Sequence, residues 1–297
     1  MSEFAVSYED LTRIRVEDPG RITRLRGARR RRRIADTGGS LLLIAADHPA
    51  RGALGAGGRP DAMASRTDML DRLREALTVP GVDGVLGTAD VLEDLLLLGA
   101  LEDRVVIASM NRGGLQGASF EIDDRFTGYD ATSIAAAGFD GGKMLTRIDL
   151  DDDRTAATLE ASARAVTDLA RHELIAMVEP FLSSRPGGPG TPLVNDLSPE
   201  AVIRSIHIAQ GLGATSASTW LKLPAVADMA RVMDATTLPT VILGGDPVGQ
   251  DPDRVRASWQ DALARPNVRG LVVGRTLLYP PHDDVTAAVT AAVDMIR

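Results

Sequence analysis

The sequence has no cysteine and is poor in aromatic residues and histidine. Among its 297 residues are two tryptophans, three tyrosines, five phenylalanines and four histidines. The absence of cysteine excludes disulfides, thiolate ligands and cysteine nucleophiles, and four scattered histidines disfavour a histidine-built metal site. We therefore expect no metal and no cofactor, and chemistry carried by Lys, Asp, Glu, Arg or backbone groups.

Long apolar runs and a basic charge balance are also missing. No apolar stretch approaches the roughly 18 residues that cross a bilayer. The first ten residues, MSEFAVSYED, lack the basic and apolar regions of a signal peptide. The net charge of −8 disfavours nucleic acid as a partner, because phosphate backbones need clustered cations. These features predict a cytoplasmic protein without membrane contact.

One basic segment departs from this acidic balance. Arg29 to Arg33 are five consecutive arginines, a pattern that can bind nucleic acid or an acidic surface. The alternatives are a solvated face of an N-terminal helix and a contact between subunits of a homo-oligomer, the assembly that we expect for this chain.

From residue 40 onward, short apolar runs alternate with longer segments of helical spacing, the order of a parallel sheet with helical crossovers. The predicted strands are Leu41–Ala46, Gly84–Gly87, Val105–Ser109, Lys143–Ile148, Leu174–Val178, Ser218–Leu221, Thr240–Leu243 and Gly270–Val273. Eight parallel strands close a TIM barrel. We therefore predict an α/β fold, a single (β/α)₈ barrel at 40–297, preceded by an N-terminal helical extension at 1–39 that closes the bottom of the barrel.

Helical spacing of Leu, Ala and Val predicts the segments between the strands. They are 66–78, 89–100, 130–138, 154–172, 198–212, 224–235, 251–264 and 283–296. Two long connections, 110–129 and 180–197, follow strand ends at the face where barrels carry their active sites. We expect these two loops to act as lids.

Lysine is almost absent, although the chain has 33 basic residues. Its two lysines are Lys143, in the fourth predicted strand, and Lys222, which ends the run Ser218-Thr-Trp-Leu-Lys at the catalytic end of the sixth. A lysine amine can lose its proton and attack a carbonyl, whereas a guanidinium stays charged. Side chains from even-numbered strands share layers inside the barrel, so both ammonium groups can enter one space. The second cation and partial desolvation would then lower the pKa of Lys222. The alternative is a surface lysine or a structural ion pair.

Two carboxylates follow strand ends at the same face. Asp47 follows the first strand and Glu179 the fifth, within reach of the barrel mouth, where either can donate or accept a proton. The alternative for both is a buried ion pair with the lysines or with Arg147. Arg147 is itself a candidate for binding substrate or its phosphate.

Glycines follow the last two predicted strands. Gly244 and Gly245 come after the seventh strand and Gly274 and Arg275 after the eighth. The loops after these strands form the recurrent phosphate site of the fold, where glycines let backbone N–H groups approach an anion. Arg275 would add a charge-assisted contact.

Six segments make the chain resemble a known family. They are AADHPARG (45–52), GGKMLTRID (141–149), AMVEPFL (176–182), STWLKLP (218–224), TVILGGDP (240–247) and LVVGRTLLY (271–279). The chain resembles the DeoC/LacD-type class I aldolases, and more closely the related barrel proteins of inositol and sugar-acid catabolism. The resemblance implies Lys222 as the Schiff-base residue, Glu179 as a proton-transferring carboxylate, Lys143 as the second lysine and Asp47 near the reacting hydroxyl. It places Gly244, Gly245, Gly274 and Arg275 around phosphate.

These observations predict a class I aldolase that cleaves a phosphorylated keto sugar or keto sugar acid. By resemblance the substrate would be 2-deoxy-5-keto-6-phosphogluconate, giving dihydroxyacetone phosphate and malonate semialdehyde. One competing hypothesis is a phosphosugar isomerase or epimerase, with Glu179 or Asp47 as base and Lys222 as an electrostatic stabiliser. Another is a non-catalytic protein that binds a phosphate ligand, or nucleic acid through Arg29 to Arg33.

Overall fold

A computed structural model describes residues 6–188, 190–245 and 251–297. It contains a sheet of nine strands. The strands are β1 (Leu41–Ala46), β2 (Gly84–Gly87), β3 (Val105–Ser109), β4 (Gly141–Ile148), β5 (Ile175–Ser184), β6 (Val194–Asn195), β7 (Thr219–Pro224), β8 (Thr240–Leu243) and β9 (Val268–Val273).

Eight of these strands form a closed parallel barrel. The order is β4-β3-β2-β1-β9-β8-β7-β5, and pairing of β4 with β5 closes the ring. Strand β6 lies outside the ring, antiparallel to the end of β5. The single (β/α)₈ barrel predicted from the sequence is therefore confirmed.

Helices surround the barrel and bury one apolar face each. They are α1 (Tyr8–Glu17), α2 (Gly20–Ala28), α3 (Arg66–Thr78), α4 (Ala89–Leu97), α5 (Ala131–Ala136), α6 (Arg154–Arg171), α7 (Pro199–Gln210), α8 (Met229–Met233), α9 (Pro252–Leu263), α10 (Arg275–Leu278) and α11 (Val285–Ile296). Among the described residues, no helix is long and apolar enough to cross a membrane.

Two apolar clusters divide the core between the inside and the outside of the barrel. The larger lies between the strands and the helices. The smaller fills the barrel interior and includes Leu41, Leu43 and Ala45 of β1 and Met177 of β5. Because side chains alternate along a strand, the next inward position on β1 is residue 47 and on β5 residue 179. Polar groups at those positions therefore lie directly above the apolar side chains that fill the barrel interior.

Two strands extend beyond their predicted ends. Strand β5 continues past Pro180 to Ser184, and β7 continues to Pro224. Glu179 and Lys222 therefore lie within strands rather than after a strand or at its end. Proline lacks the N–H that donates a sheet hydrogen bond, so it is disfavoured inside a strand that pairs on both sides. Beyond Val178, however, β5 pairs in the barrel with β4 alone, and a strand with one free side tolerates a residue without a donor.

The helix predicted at 224–235 is shorter than its pattern indicates. Pro224 is the last residue of β7, and α8 begins only at Met229. Asp228 precedes it with a positive φ of 55° and its side chain accepts a hydrogen bond from the Arg231 N–H. This cap fixes the start of the helix, and the residues before it form a loop at the barrel mouth.

Of the N-terminal extension, α1 and α2 pack beside the barrel, and only its last part reaches the barrel bottom. Their buried residues Leu11, Ile14 and Ile22 join the outer apolar cluster. Arg15 and Arg26 form ion pairs with Glu93 of the outer helix α4, at 3.8 and 2.6 Å. The segment after α2 covers the bottom instead, where Ile34 packs against the interior cluster.

The five-arginine run has a structural role at that bottom face. Arg29 is 6% exposed and donates hydrogen bonds to the carbonyl oxygens of Leu101, Arg104 and Gly138, at 2.8–3.1 Å. The other four form ion pairs, which are Arg30–Asp103, Arg31–Asp140, Arg32–Asp83 and Arg33–Asp36. The run is extended and follows α2, so it is not a helix face, and its side chains serve contacts within this chain.

Arg29→Ala is expected to lower the free energy of unfolding by about 2–4 kcal/mol, because it leaves three carbonyl groups without their charged donor. The matched control is Arg33→Ala, whose side chain is 78% exposed and whose loss should cost less than about 0.5 kcal/mol. Urea denaturation of both variants measures the difference. Equal midpoints for the two variants would contradict this account of the run.

Candidate active site

A cavity of about 350 Å³ opens at the carboxyl ends of the barrel strands. Its size lies within the range of small-molecule sites. All nine residues singled out in the sequence line it: Asp47, Lys143, Arg147, Glu179, Lys222, Gly244, Gly245, Gly274 and Arg275. Barrel closure thus brings together residues that are up to 228 positions apart in the sequence.

Strand register places the two lysines at different depths. Lys143 on β4 is level with Met177 on β5, which is level with Trp220 on β7. Lys222 lies two residues further along β7 and therefore nearer the mouth. Both side chains are almost completely buried, at 4% and 3% exposure.

Both ammonium groups contact one carboxylate oxygen. Glu179 Oε2 lies 2.6 Å from Lys143 Nζ and 3.0 Å from Lys222 Nζ. Lys143 also donates a hydrogen bond of 2.9 Å to Asp47 Oδ2. The contacts of Glu179 are close ion pairs without the angles of good hydrogen bonds. Lys143 is thus held between two carboxylates, whereas Lys222 faces one carboxylate and a second cation.

This asymmetry separates the pKa values of the two lysines. Burial opposes the charge of Lys143, but Asp47 and Glu179 outweigh it and raise its pKa to about 12. For Lys222, burial and the Lys143 charge outweigh Glu179, so its pKa is lowered. The lowered pKa expected from the sequence is confirmed in direction. Of the two amines, Lys222 loses its proton more easily.

The same cations keep both carboxylates ionised. Burial alone would raise the pKa of Glu179, but Lys143 and Lys222 overcome it and lower the pKa to about 2. Burial alone would also raise the pKa of Asp47, but the Lys143 cation holds that pKa well below its usual range. At neutral pH both groups are therefore proton acceptors facing the cavity.

Arg147 pairs with a residue that the sequence did not indicate. Its guanidinium contacts Glu121, which lies in the long loop after β3. Glu121 is 2% exposed. Of the ion pairs considered as the alternative for Asp47 and Glu179, those with the lysines are present, whereas Arg147 pairs with Glu121. The loop after β3 thus packs onto β4 through a buried ion pair while Arg147 still lines the cavity.

Gly244 after β8 and Gly274 after β9 are needed first for packing. A Cβ on Gly244 would lie 2.4 Å from a methyl carbon of Val273, and one on Gly274 would lie 2.3 Å from the Ala45 carbonyl oxygen. Both strand ends therefore approach their neighbours more closely than any side chain allows. Asp246 and Pro247, which belong to the motif after β8, lie outside the described residues.

Several cavity residues were missed as site candidates, although two of them stand in the quoted segment AADHPARG. His48 directly follows Asp47, and burial, with the charges of Arg275, Lys222 and Arg51, lowers the pKa of His48 to about 3 despite Asp47. The ring is therefore neutral at pH 7. Further lining residues are Arg51, Arg112, Phe181, Asn195 and Trp259. Arg51, Arg112 and Phe181 stand a few residues after predicted strand ends, a position that could have indicated them, whereas Asn195 and Trp259 stand far from any predicted strand end.

Over residues 6–188, 190–245 and 251–297, no group of three or more His, Asp or Glu side chains is arranged to hold a metal ion. The polar groups of the cavity are instead two lysines, several arginines and two carboxylates. Such a set can form an imine with a carbonyl compound, move protons and attract anions.

Comparisons with known proteins show which family and which solved structures the chain is similar to. A family model for Cgl0159-like proteins matches residues 39–293. The crystal structure of Cgl0159 from Corynebacterium glutamicum is 52% identical in sequence and has a TM-score of 0.93. That alignment covers 97% of this chain and 96% of the relative. None of the curated proteins matches the sequence.

Fructose-bisphosphate aldolases share the fold at much lower identity. A Schiff-base-forming fructose-1,6-bisphosphate aldolase is 18% identical with a TM-score of 0.62, covering 93% of this chain and 100% of that protein. Fructose-bisphosphate aldolase from Slackia heliotrinireducens is 16% identical with a TM-score of 0.62, covering 86% of this chain and 80% of that protein. At these identities the likeness is one of fold.

Proposed function

The chain belongs to the Cgl0159-like family, and we propose that it is a class I aldolase of the DeoC/LacD type in which Lys222 forms a Schiff base with a phosphorylated keto sugar or keto sugar acid. The observation that carries this proposal is the unequal environment of the two buried lysines. Lys143 is fixed as a cation by two carboxylates, and its charge helps to free the amine of Lys222.

The contacts of Lys222 and Glu179 support imine formation, carbon–carbon cleavage and imine hydrolysis in that order. The Lys222 amine attacks the ketone carbon, and the carbinolamine loses water to give a protonated imine that withdraws electrons. A carboxylate then takes the proton of the hydroxyl on the departing fragment, the carbon–carbon bond breaks, and an aldehyde leaves. The remaining enamine is protonated on carbon and the imine is hydrolysed, which restores the amine.

Glu179 is well placed for the proton transfers, since its Oε2 lies 3.0 Å from Lys222 Nζ. Asp47 reaches the same space through Lys143. Similarity of fold to a Schiff-base-forming fructose-1,6-bisphosphate aldolase agrees with this chemistry. We retain 2-deoxy-5-keto-6-phosphogluconate, cleaved to dihydroxyacetone phosphate and malonate semialdehyde, as the specific substrate to test.

We further propose that the substrate phosphate binds between the ends of β8 and β9, at Gly244, Gly245, Gly274 and Arg275. A charge-assisted contact contributes about 1.5–3 kcal/mol, so Arg275→Ala should raise KM for a phosphorylated substrate roughly 10- to 100-fold. Steady-state kinetics with the substrate found by trapping measures the change. An unchanged KM would move the phosphate elsewhere in the cavity.

The decisive test is reductive trapping. The protein is incubated with a panel of phosphorylated ketoses and keto sugar acids and then treated with borohydride, which fixes an imine as a stable amine. We expect a mass increase on the peptide that contains Lys222. The control omits the sugar. Turnover without any trapped adduct would overturn the Schiff-base proposal and favour a phosphosugar isomerase with Glu179 or Asp47 as base.

A further inference from the structure

His48 lies between two parts of the cavity. It directly follows Asp47 at the end of β1, and β1 pairs with β9, which Gly274 follows. A Cβ on Gly274 would lie 2.9 Å from His48 Cε1, so the imidazole ring packs against this glycine. The ring therefore borders the proposed phosphate site on one side and the carboxylate of Asp47 on the other.

The two ring nitrogens of His48 have different surroundings. Nδ1 is completely buried and has no hydrogen-bond partner, although it lies 3.8 Å from Asp47 Oδ1. The side chain is 18% exposed and lines the cavity. Because Nδ1 is covered, Nε2 is the nitrogen that an anion in the cavity can reach. Native proteins rarely leave a buried nitrogen unpaired, so this ring is a candidate for binding a ligand.

The charges of the protein keep the ring neutral at pH 7. Burial lowers the pKa of His48 to about 3, and the cations of Arg275, Lys222 and Arg51 act in the same direction. The Asp47 carboxylate opposes them without restoring the ordinary value. A phosphate dianion beside the ring would add two negative charges, each of which raises the pKa of a neighbouring histidine by about 1–3 units. With a dianion bound, the pKa of His48 would therefore reach roughly 5–9.

A neutral imidazole cannot satisfy both neighbours, because it has one N–H and one lone pair. If Nε2 carried the proton and donated it to a phosphate, the Nδ1 lone pair would face the Asp47 carboxylate. If Nδ1 carried the proton, the Nε2 lone pair would face the phosphate. An imidazolium instead donates from both nitrogens. It is therefore the form of the ring that fits between Asp47 and a bound phosphate.

We propose that His48 is a further phosphate-binding residue of this site and that it binds as an imidazolium, with Nε2–H donating to the phosphate and Nδ1–H to Asp47. This proposal rests on the phosphate site proposed above and adds one residue and one proton to it. The proton comes from solvent, so the dianion binds together with a proton. Both new hydrogen bonds join opposite charges, which makes them stronger than neutral ones.

Sulfate tests the proposal without a sugar, because it is a tetrahedral dianion that does not titrate near neutral pH. Isothermal titration calorimetry in buffers of different ionisation enthalpy gives the number of protons taken up for each sulfate bound. We expect about one proton at pH 6 for the wild type. As the pH rises, the Kd for sulfate should increase about tenfold per pH unit until the pKa of the bound form is passed, and then stay constant.

His48→Gln keeps an amide N–H near the anion but cannot take up a proton. We expect this variant to bind sulfate without proton uptake and about 10-fold more weakly at pH 6. The matched control is His207→Gln, at an exposed position of α7, which should leave the uptake and the Kd unchanged. Asp47→Asn keeps the imidazole but removes the carboxylate that favours its charge. It should lower the proton uptake, and it serves as the test if His48→Gln fails to fold.

The failure of this proposal can be told apart from the failure of the phosphate site. Sulfate binding that Arg275→Ala weakens, but that takes up no proton in the wild type, would overturn only the proposal for His48. Uptake that persists in His48→Gln would do the same, because another group would then bind the proton. Sulfate binding that Arg275→Ala does not weaken, or no binding at all, would refute the phosphate site and this proposal together. The trapping experiment on Lys222 is independent of these results.

Discussion

Lys222→Arg is expected to lose the borohydride-trapped adduct completely and to reduce turnover by at least about 1,000-fold, because the imine is an obligatory intermediate. A guanidinium keeps the positive charge opposite Glu179 but stays protonated, so it cannot attack a carbonyl. The substitution therefore separates nucleophilic from electrostatic roles of the lysine. Peptide mass spectrometry after trapping and steady-state kinetics give the two readouts.

The matched control for this variant is Lys143→Arg, the same substitution at the other lysine of the chain. It should retain the trapped adduct on Lys222 and a measurable remnant of turnover, with the pH optimum moved. Label found on Lys143, or full turnover by Lys222→Arg, would refute the assignment of the nucleophile. The isomerase hypothesis, in which Lys222 acts only through its charge, would then account better for the site.

Much of the barrel could be predicted because its strands are buried on both faces. Strands β1, β2, β3 and β8 appear as short apolar runs between turn residues, and their predicted bounds agree with the structure. The two lysines were identifiable because lysine is so rare in this chain. Alternation along the strands then directs residues such as Asp47 and Glu179 into the space above the apolar barrel interior.

Features that depend on contacts distant in sequence could not be predicted. The end of β5 beyond Pro180 depends on which neighbour it pairs with there, and the partner of Arg147 comes from a loop without regular structure. The three carbonyls bound by Arg29 lie 72 to 109 residues away. The sequence shows that such an arginine is charged. Its burial and its hydrogen-bond partners are set only by the folded chain.

Removing the charge of Lys143 is expected to move the titration of Lys222 to higher pH by about 1–3 units, the range that a neighbouring charge produces. The sign follows from the contacts at Glu179. The Lys143 cation disfavours a second charge on Lys222 and so lowers its pKa. In Lys143→Met this repulsion is absent, while Glu179 still attracts a proton to Lys222. The pKa of Lys222 must therefore rise.

This shift can be measured without knowing the substrate. The rate at which a small amine-specific reagent labels Lys222 is followed against pH by mass spectrometry of the Lys222 peptide, because only the neutral amine reacts. The wild-type curve should rise at lower pH than that of Lys143→Met, and Lys143→Arg, which preserves a cation in a side chain of different shape, should lie between the two. Superimposable curves for the wild type and Lys143→Met would show that the charge of Lys143 does not lower the pKa of Lys222.

The same variant should lower activity at neutral pH by a corresponding factor, since each unit of pKa shift reduces the fraction of free amine about tenfold. Raising the pH should restore part of the rate in Lys143→Met if Lys143 acts through its charge. A rate that stays low at every pH would mean that Lys143 also positions Asp47 and Glu179. Asp47 accepts a hydrogen bond of 2.9 Å from Lys143 and loses this donor in Lys143→Met. The rate at high pH therefore measures how far Lys143 acts by positioning these carboxylates rather than by its charge.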